Sequence, residues 1–167
     1  MRTTIRTVGL AIAAFSLLLS GLSGCGERGP NSAPATAQPS EESFKDFQNY
    51  EIHYNAVRTD TLTADVAKSY GIQRAANRVM LTVTVLRKTG DRQPRVPIEA
   101  QVAVDAYNLN GQLKGLEVRR VSEGEAIYYI GEATISGSEI LVFDIKVTPT
   151  GEQAPLEVKF KREFFSN

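Results

Sequence analysis

The chain contains no Trp, a single Cys and a single His. Each scarcity excludes something. With Cys25 as the one thiol, neither an intramolecular disulfide nor a dithiol redox pair forms. With His53 as the one imidazole and no dense acidic loop, the ligand sets of zinc, copper, iron and calcium sites are missing, so no metal or other cofactor is expected. Charge of one sign is also lacking: 19 Lys+Arg stand against 19 Asp+Glu. The densest basic cluster, Lys159, Lys161 and Arg162, is interrupted by Glu157 and Glu163. That is a solvated strand face, not the positive footprint of a nucleic-acid binder. No Gly-rich loop precedes a helical pattern, which removes the support for nucleotide binding.

Long apolar runs are confined to the N-terminus. Arg2 and Arg6 form a positive leader, and Val8 to Leu19 form an apolar core whose one polar residue is Ser16. The stretch ends by Leu22, short of the ~20 residues a spanning helix needs, and it fits a secretory signal peptide. Leu22-Ser23-Gly24-Cys25 closes it and resembles the bacterial lipobox, with Leu, two small residues and then the lipidated Cys. The motif implies cleavage after residue 24 and a diacylglyceryl thioether on Cys25, commonly with an amide-linked acyl chain. Each buried CH₂ contributes ~0.8 kcal/mol, so two or three chains hold firmly where one does not. Gly26 follows Cys25 where Asp would favour retention in the inner membrane, so the expected place is the outer membrane, facing the periplasm. With Arg2 and Arg6 removed, 17 basic residues remain against 19 acidic ones, a net charge of −2.

Residues 25–43 carry Pro30, Pro34 and Pro39 among Ser, Ala, Thr, Asn and Gln, and no large apolar side chain. Such a segment cannot bury a core and reads as a disordered tether. Its 18 or so residues reach ~60 Å at full stretch and average nearer ~24 Å as a flexible chain. Residues 44–167 then form one domain, large enough for a core without disulfide or metal.

The period of that domain is two, the mark of half-buried strands. Tyr50, Ile52 and Tyr54 alternate with Glu51, His53 and Asn55. Val79 to Val85 present a second apolar face, Ile98 to Ala106 a third, and Leu116 and Val118 a fourth. Ile127 to Ile135, Leu141 to Val147 and Leu156 to Phe160 complete the set. Asn110-Gly111 predicts a tight turn, and hence a hairpin joining the third strand to the fourth. Thr63 predicts an N-cap for a helix over Ala64 to Tyr70, with Val66 and Tyr70 facing the core and Gly71 as its stop, plugging an end or edge of the sheets. About seven alternating strands predict an immunoglobulin-like antiparallel β-sandwich, without the Cys…Trp…Cys signature of true immunoglobulin domains. A small β-barrel or lipocalin-like cup is the alternative.

The run Tyr50-Glu51-Ile52-His53-Tyr54-Asn55-Ala56, then Leu62-Thr63 and Val66-Ala67-Lys68-Ser69-Tyr70-Gly71-Ile72, resembles the DUF4426 family. Asn108-Leu109, Gly111-Gln112-Leu113, Ala126-Ile127-Tyr128-Tyr129 and Phe143-Asp144-Ile145-Val147-Pro149 fit it too. The resemblance spans the domain from Phe44 to the C-terminus. It implies a bacterial envelope protein, and brings with it no catalytic residue and no ligand.

The chemistry-bearing residues offer little. His53 lies on a polar strand face beside Glu51, a surface hydrogen-bonding position. Ser69, Ser122 and Ser136 are available to a Ser-His-Asp arrangement, yet none sits in a nucleophile elbow. Glu123 and Glu125 flank Gly124 in a turn where solvation accounts for them, and Asp60, Asp65, Asp105 and Asp144 have no partner suggested by spacing. Tyr107 and Tyr128 fall on outward positions and form a contact patch if they are neighbours. The expectation is a non-enzymatic, membrane-anchored binding or accessory module. Its partner would be another envelope component, docking on an aromatic patch or by strand addition. A small-ligand or lipid carrier, marked by an enclosed apolar cavity, is the alternative, and a cell-wall hydrolase the third reading.

Overall fold

The computed structural model describes residues 43–90 and 93–166. The leader, Cys25 and almost all of the tether lie outside the described residues. Among the described residues there are nine strands: β1 (Phe44–Asp46), β2 (Tyr50–Arg58), β3 (Arg78–Arg87), β4 (Val96–Pro97), β5 (Ala100–Asn108), β6 (Val118–Glu123), β7 (Ala126–Thr134), β8 (Ser138–Pro149) and β9 (Leu156–Phe165). A 3-10 turn (Thr59–Thr61) and a helix α1 (Ala64–Ser69) follow β2. All pairings are antiparallel. The larger sheet runs β1-β2-β3-β7-β6 with β4 also on β3, and the smaller runs β5-β8-β9. The two sheets pack as a sandwich and do not close into a barrel.

The core is the set of residues that the alternation points inward. Ile52, Leu81, Leu141, Phe143 and Ile145 are almost wholly buried between the sheets. Phe160 stacks on Tyr54 at 4.7 Å and on Phe143 at 4.8 Å between ring centroids, so aromatic rings fill the middle of the sandwich. A hydroxyl ties the layers together as well, because the Ala100 N–H donates to Tyr129 Oη at 2.7 Å.

Three features differ from expectation. β1 and β4 are too short to show a period, and β4 contains a proline, which suits a short edge segment. Asn110-Gly111 does form a turn, with Gly111 at φ 77, but it does not join two neighbouring strands. β5 pairs with β8 and β6 with β7, so the chain crosses from one sheet to the other between Asn108 and Val118. The third difference is α1. Thr63 Oγ1 caps it by accepting from the Val66 N–H, and Gly71 at φ 63 ends it, as expected. It lies on the outer face of the larger sheet instead of plugging an end, over Met80 and Ile130, and its buried residue is Ala67. Val66 is exposed. A small side chain lets so short a helix sit close to the sheet, and Val in that place would hold it off.

One side of the sandwich is stitched across the layers. Lys45 Nζ donates to Glu157 O at 2.9 Å, Arg162 Nη1 to Ala56 O at 2.6 Å, and Arg58 Nη1 to Phe165 O. Cations thus occupy carbonyls along the edges of β2 and β9, which protects edges that would otherwise recruit another strand.

Candidate functional site

The outer face of the smaller sheet carries a cluster of charged and polar side chains. Antiparallel register puts Asp105 directly opposite Asp144, so spacing along the chain concealed a real carboxylate pair. Tyr107 Oη donates to Asp144 Oδ2 at 2.8 Å, and Lys159 Nζ lies 2.8 Å from Tyr107 Oη and 3.2 Å from Asp144 Oδ2. Lys159 also stands over the Tyr107 ring. Its bonds to Tyr107 and Asp144 raise the ammonium pKa above the ordinary lysine value. Asp105, Asp144 and Lys159, with Lys45, Lys146 and Glu157, line an open cleft of about 480 Å³. Strands present alternate residues outward, and here Gln101, Ala103, Asp105, Lys146, Glu157, Lys159 and Lys161 are all exposed.

The two expected patch residues do not meet. Tyr107 belongs to this face. Tyr128 lies on the outer face of the larger sheet, packed with Tyr70, whose ring centroid is 6.2 Å away. Both side chains lie on outer strand faces, but which sheet each belongs to depends on the crossover after Asn108.

That larger-sheet face carries two further clusters. Glu51 is buried there and takes His53 Nε2 on one oxygen and Arg95 Nε, at 2.5 Å, on the other. Burial on its own would raise the Glu51 pKa, but the hydrogen bonds from His53 and Arg95 outweigh it and hold the carboxyl below its usual range. The His53 ring stacks on Phe44 at 5.5 Å, so His53 is a bonded surface residue. The Ser69 hydroxyl donates to Val66 O. Near α1, Tyr70 Oη donates to Glu123 Oε2 at 2.7 Å, and that bond together with burial pushes its phenol up to about 12. Glu123 is therefore a structural acceptor across the sheet face, not merely a solvated turn residue. Among the described residues, no group of three or more His, Cys, Asp or Glu could hold a metal ion.

The crossover loop is the third surface, and it is built unusually firmly. Asn108 is buried, and its Oδ1 accepts from the N–H groups of Asn110 at 3.1 Å and Gln112 at 3.0 Å. Its Nδ2 donates to Glu139 Oε1 at 3.0 Å. Lys114 Nζ reaches both Glu139 oxygens at 2.7 Å, and the Ser136 N–H adds another bond at 3.1 Å. Burial would raise the Glu139 pKa, but these donors, Lys114 foremost, more than offset it and leave it lowered. On this base Leu109 and Leu113 stand 66% and 71% exposed. The loop also folds back on β5: the Lys114 N–H donates to Ala106 O, and the Asn108 N–H to Gln112 O. With Ala100 already engaged by Tyr129, β5 is covered at both ends of its free edge, which leaves little room there for strand addition.

The model for the family described as Domain of unknown function (DUF4426) matches residues 44–167. A DUF4426 family protein from Pseudomonas aeruginosa PAO1 has a similar solved structure, 33% identical at TM-score 0.62, covering 74% of this chain and 94% of that one. A copper-bound variant of FetP from uropathogenic Escherichia coli is 9% identical at TM-score 0.53, covering 74% of this chain and 95% of its own. The as-isolated FetP, recombinantly expressed in the periplasm, is also 9% identical at TM-score 0.51, covering 74% and 93%. At such identity the two FetP structures share the fold alone. No curated protein sequence matches the chain.

Proposed function

Starting from the DUF4426 family, to which this chain belongs, we propose a lipid-anchored, periplasm-facing binding or accessory module of the bacterial outer membrane that works by contact, not by catalysis. The anchor rests on Leu22 to Cys25 and on the sorting preference of Gly26. A FetP of the same fold was expressed in the periplasm, so the fold is compatible with that compartment.

The observation that carries the binding role is the open outer face of the smaller sheet. It sets Asp105, Asp144, Glu157 and three lysines around one cleft, with Tyr107 bonded to Asp144 and Lys159 beside it. Alternating charge of that kind gives specificity and steers association more than it adds affinity. The partner is an envelope component presenting complementary charges to this face. Against a carrier role stands the filled interior, where Tyr54, Phe160 and Phe143 stack. Copper is a property of the FetP variant; among the described residues of this chain, no group of three or more His, Cys, Asp or Glu could hold a metal ion.

The test is crosslinking in intact cells, with mass-spectrometric identification, for the wild type, Cys25→Ala and the double variant Lys146→Glu/Lys159→Glu. One envelope component captured by the wild type and lost with the charge reversal is the expected result. Capture by Cys25→Ala places recognition in the domain. Equal capture by the charge-reversed variant would remove this face from the proposal, and turnover of peptidoglycan by the purified chain would overturn the non-enzymatic reading.

A further inference from the structure

We propose that the loop tip Leu109–Leu113 rests on the surface of the bilayer that holds the anchor, so that the sandwich stands on the membrane in a fixed orientation. The inference deepens the anchored reading above and rests on it.

The tip is suited to leaving water. Leu109, Asn110, Gly111, Gln112 and Leu113 are all exposed and none is charged. The cation that follows it in sequence, Lys114, is turned inward onto Glu139. Lipid tolerates backbone polar groups only where they are satisfied internally. The N–H groups of Asn110 and Gln112 are held by Asn108 Oδ1, and that of Gly111 by Asn108 O.

The chemistry favours lipid over a protein groove. Binding hot spots between proteins are enriched in Trp, Tyr and Arg and poor in Leu, and this tip offers two aliphatic side chains on a convex turn. It also lies at the right end of the domain. Register places Asn108, Ser138 and Phe165 at one end of the smaller sheet, and Phe165 is exposed there. The turn around Ser136-Gly137-Ser138 at that end is uncharged as well. In the larger sheet Arg58 lies at the same end, bonded to Phe165 O. β1 runs away from that end, since Phe44 pairs with His53 and Asp46 with Glu51.

Two leucines by themselves hold a domain on a bilayer only fleetingly. An anchor on the same chain turns the contact into an intramolecular event at high effective concentration. Eighteen residues (26–43) follow Cys25 up to the start of the domain, a contour of at most ~60 Å, which confines the domain to the neighbourhood of the lipid. With the tip down, the strands rise from the membrane and the open face of β5-β8-β9 points sideways, accessible to a partner in the periplasm.

The absence of Trp supplies the probe, because one introduced Trp is the sole indole in the chain. The full acylated chain carrying Leu113→Trp, and separately Leu109→Trp, is reconstituted into phosphatidylethanolamine–phosphatidylglycerol vesicles with or without brominated acyl chains. Ala154→Trp, in the turn between β8 and β9 at the opposite end, is the control. All three co-float with the vesicles through the anchor. The expected result is blue-shifted emission, quenched by brominated lipid, from both leucine positions and not from position 154. Flotation with unquenched, solvent-like emission at 109 and 113 overturns the bilayer contact while leaving the anchor intact, and the tip is then a protein contact. Failure to float overturns the anchored reading itself.

Discussion

Replacing Glu139 tests the base on which the crossover loop is built. Glu139 and Lys114 have side chains 13% and 9% exposed and lie 2.7 Å apart. Removing one partner of a buried pair costs ~3–5 kcal/mol, because the other charge stays behind uncompensated. Water reaches both ends slightly here, so Glu139→Gln is expected near the low end, about 3 kcal/mol. Asn108 and Ser136 bond different oxygens of Glu139, so the Gln carbonyl keeps one of them and its amide faces the other donor; the loss combines the stranded Lys114 with one neutral hydrogen bond. In a domain whose stability is on the order of 5–15 kcal/mol, that lowers Tm by roughly 10 °C. Urea unfolding of the full chain measures it as a midpoint shift at constant slope. Lys114→Met removes the stranded cation, and the double variant should recover about 2 kcal/mol relative to the sum of the two single ones. A Glu139→Gln cost below about 1 kcal/mol, the range of exposed pairs, or strict additivity, would refute the claim that a buried ion pair fixes this loop.

Glu51 and Glu139 both ionise below their ordinary value of 4.5. Their stabilisation is fully present above that value and is lost as pH falls through their lower folded values. Thermal unfolding followed by circular dichroism should give a Tm that is level from neutral pH to about 5 and falls below it. Glu51→Gln/Glu139→Gln should flatten the fall, and an unchanged profile would contradict it. Gly131 leaves no room for a side chain, since a Cβ there would lie 2.4 Å from Leu116 Cδ2 and 2.9 Å from Leu116 Cγ. Gly131→Ala is expected to cost ~1–3 kcal/mol by overpacking, read by urea denaturation, and Leu116→Ala in the same chain should relieve the clash. Tyr70→Phe should cost about 1 kcal/mol from a half-exposed bond to Glu123, and spectrophotometric titration should lose a phenol ionising at about 12.

Much of the fold was legible because period-two alternation reports directly on which side chains face the core. Ile52, Val83 and Ile145 were inward by pattern and are inward in the structure. The cap at Thr63 and the stop at Gly71 were equally local and equally readable. What escaped the sequence depends on pairing between distant strands. Asp105 and Asp144 are 39 positions apart and meet only through the β5–β8 register. Tyr107 and Tyr128 parted because the chain changes sheets at Asn108, where the turn signal of Asn110-Gly111 is identical for a hairpin and a crossover. The Asn108–Lys114–Glu139 cluster left no motif either. Its members are ordinary surface residue types, and only burial reveals that they form one unit.

Intact-mass measurement of the protein extracted from membranes tests the central claim, a lipid-anchored module, most directly. The account predicts a chain beginning at Cys25 whose mass exceeds that of residues 25–167 by a diacylglyceryl group, with a further amide-linked acyl chain in the fully processed form. A mass matching the uncleaved 167 residues, or a cleaved chain with an unmodified Cys25, would contradict it.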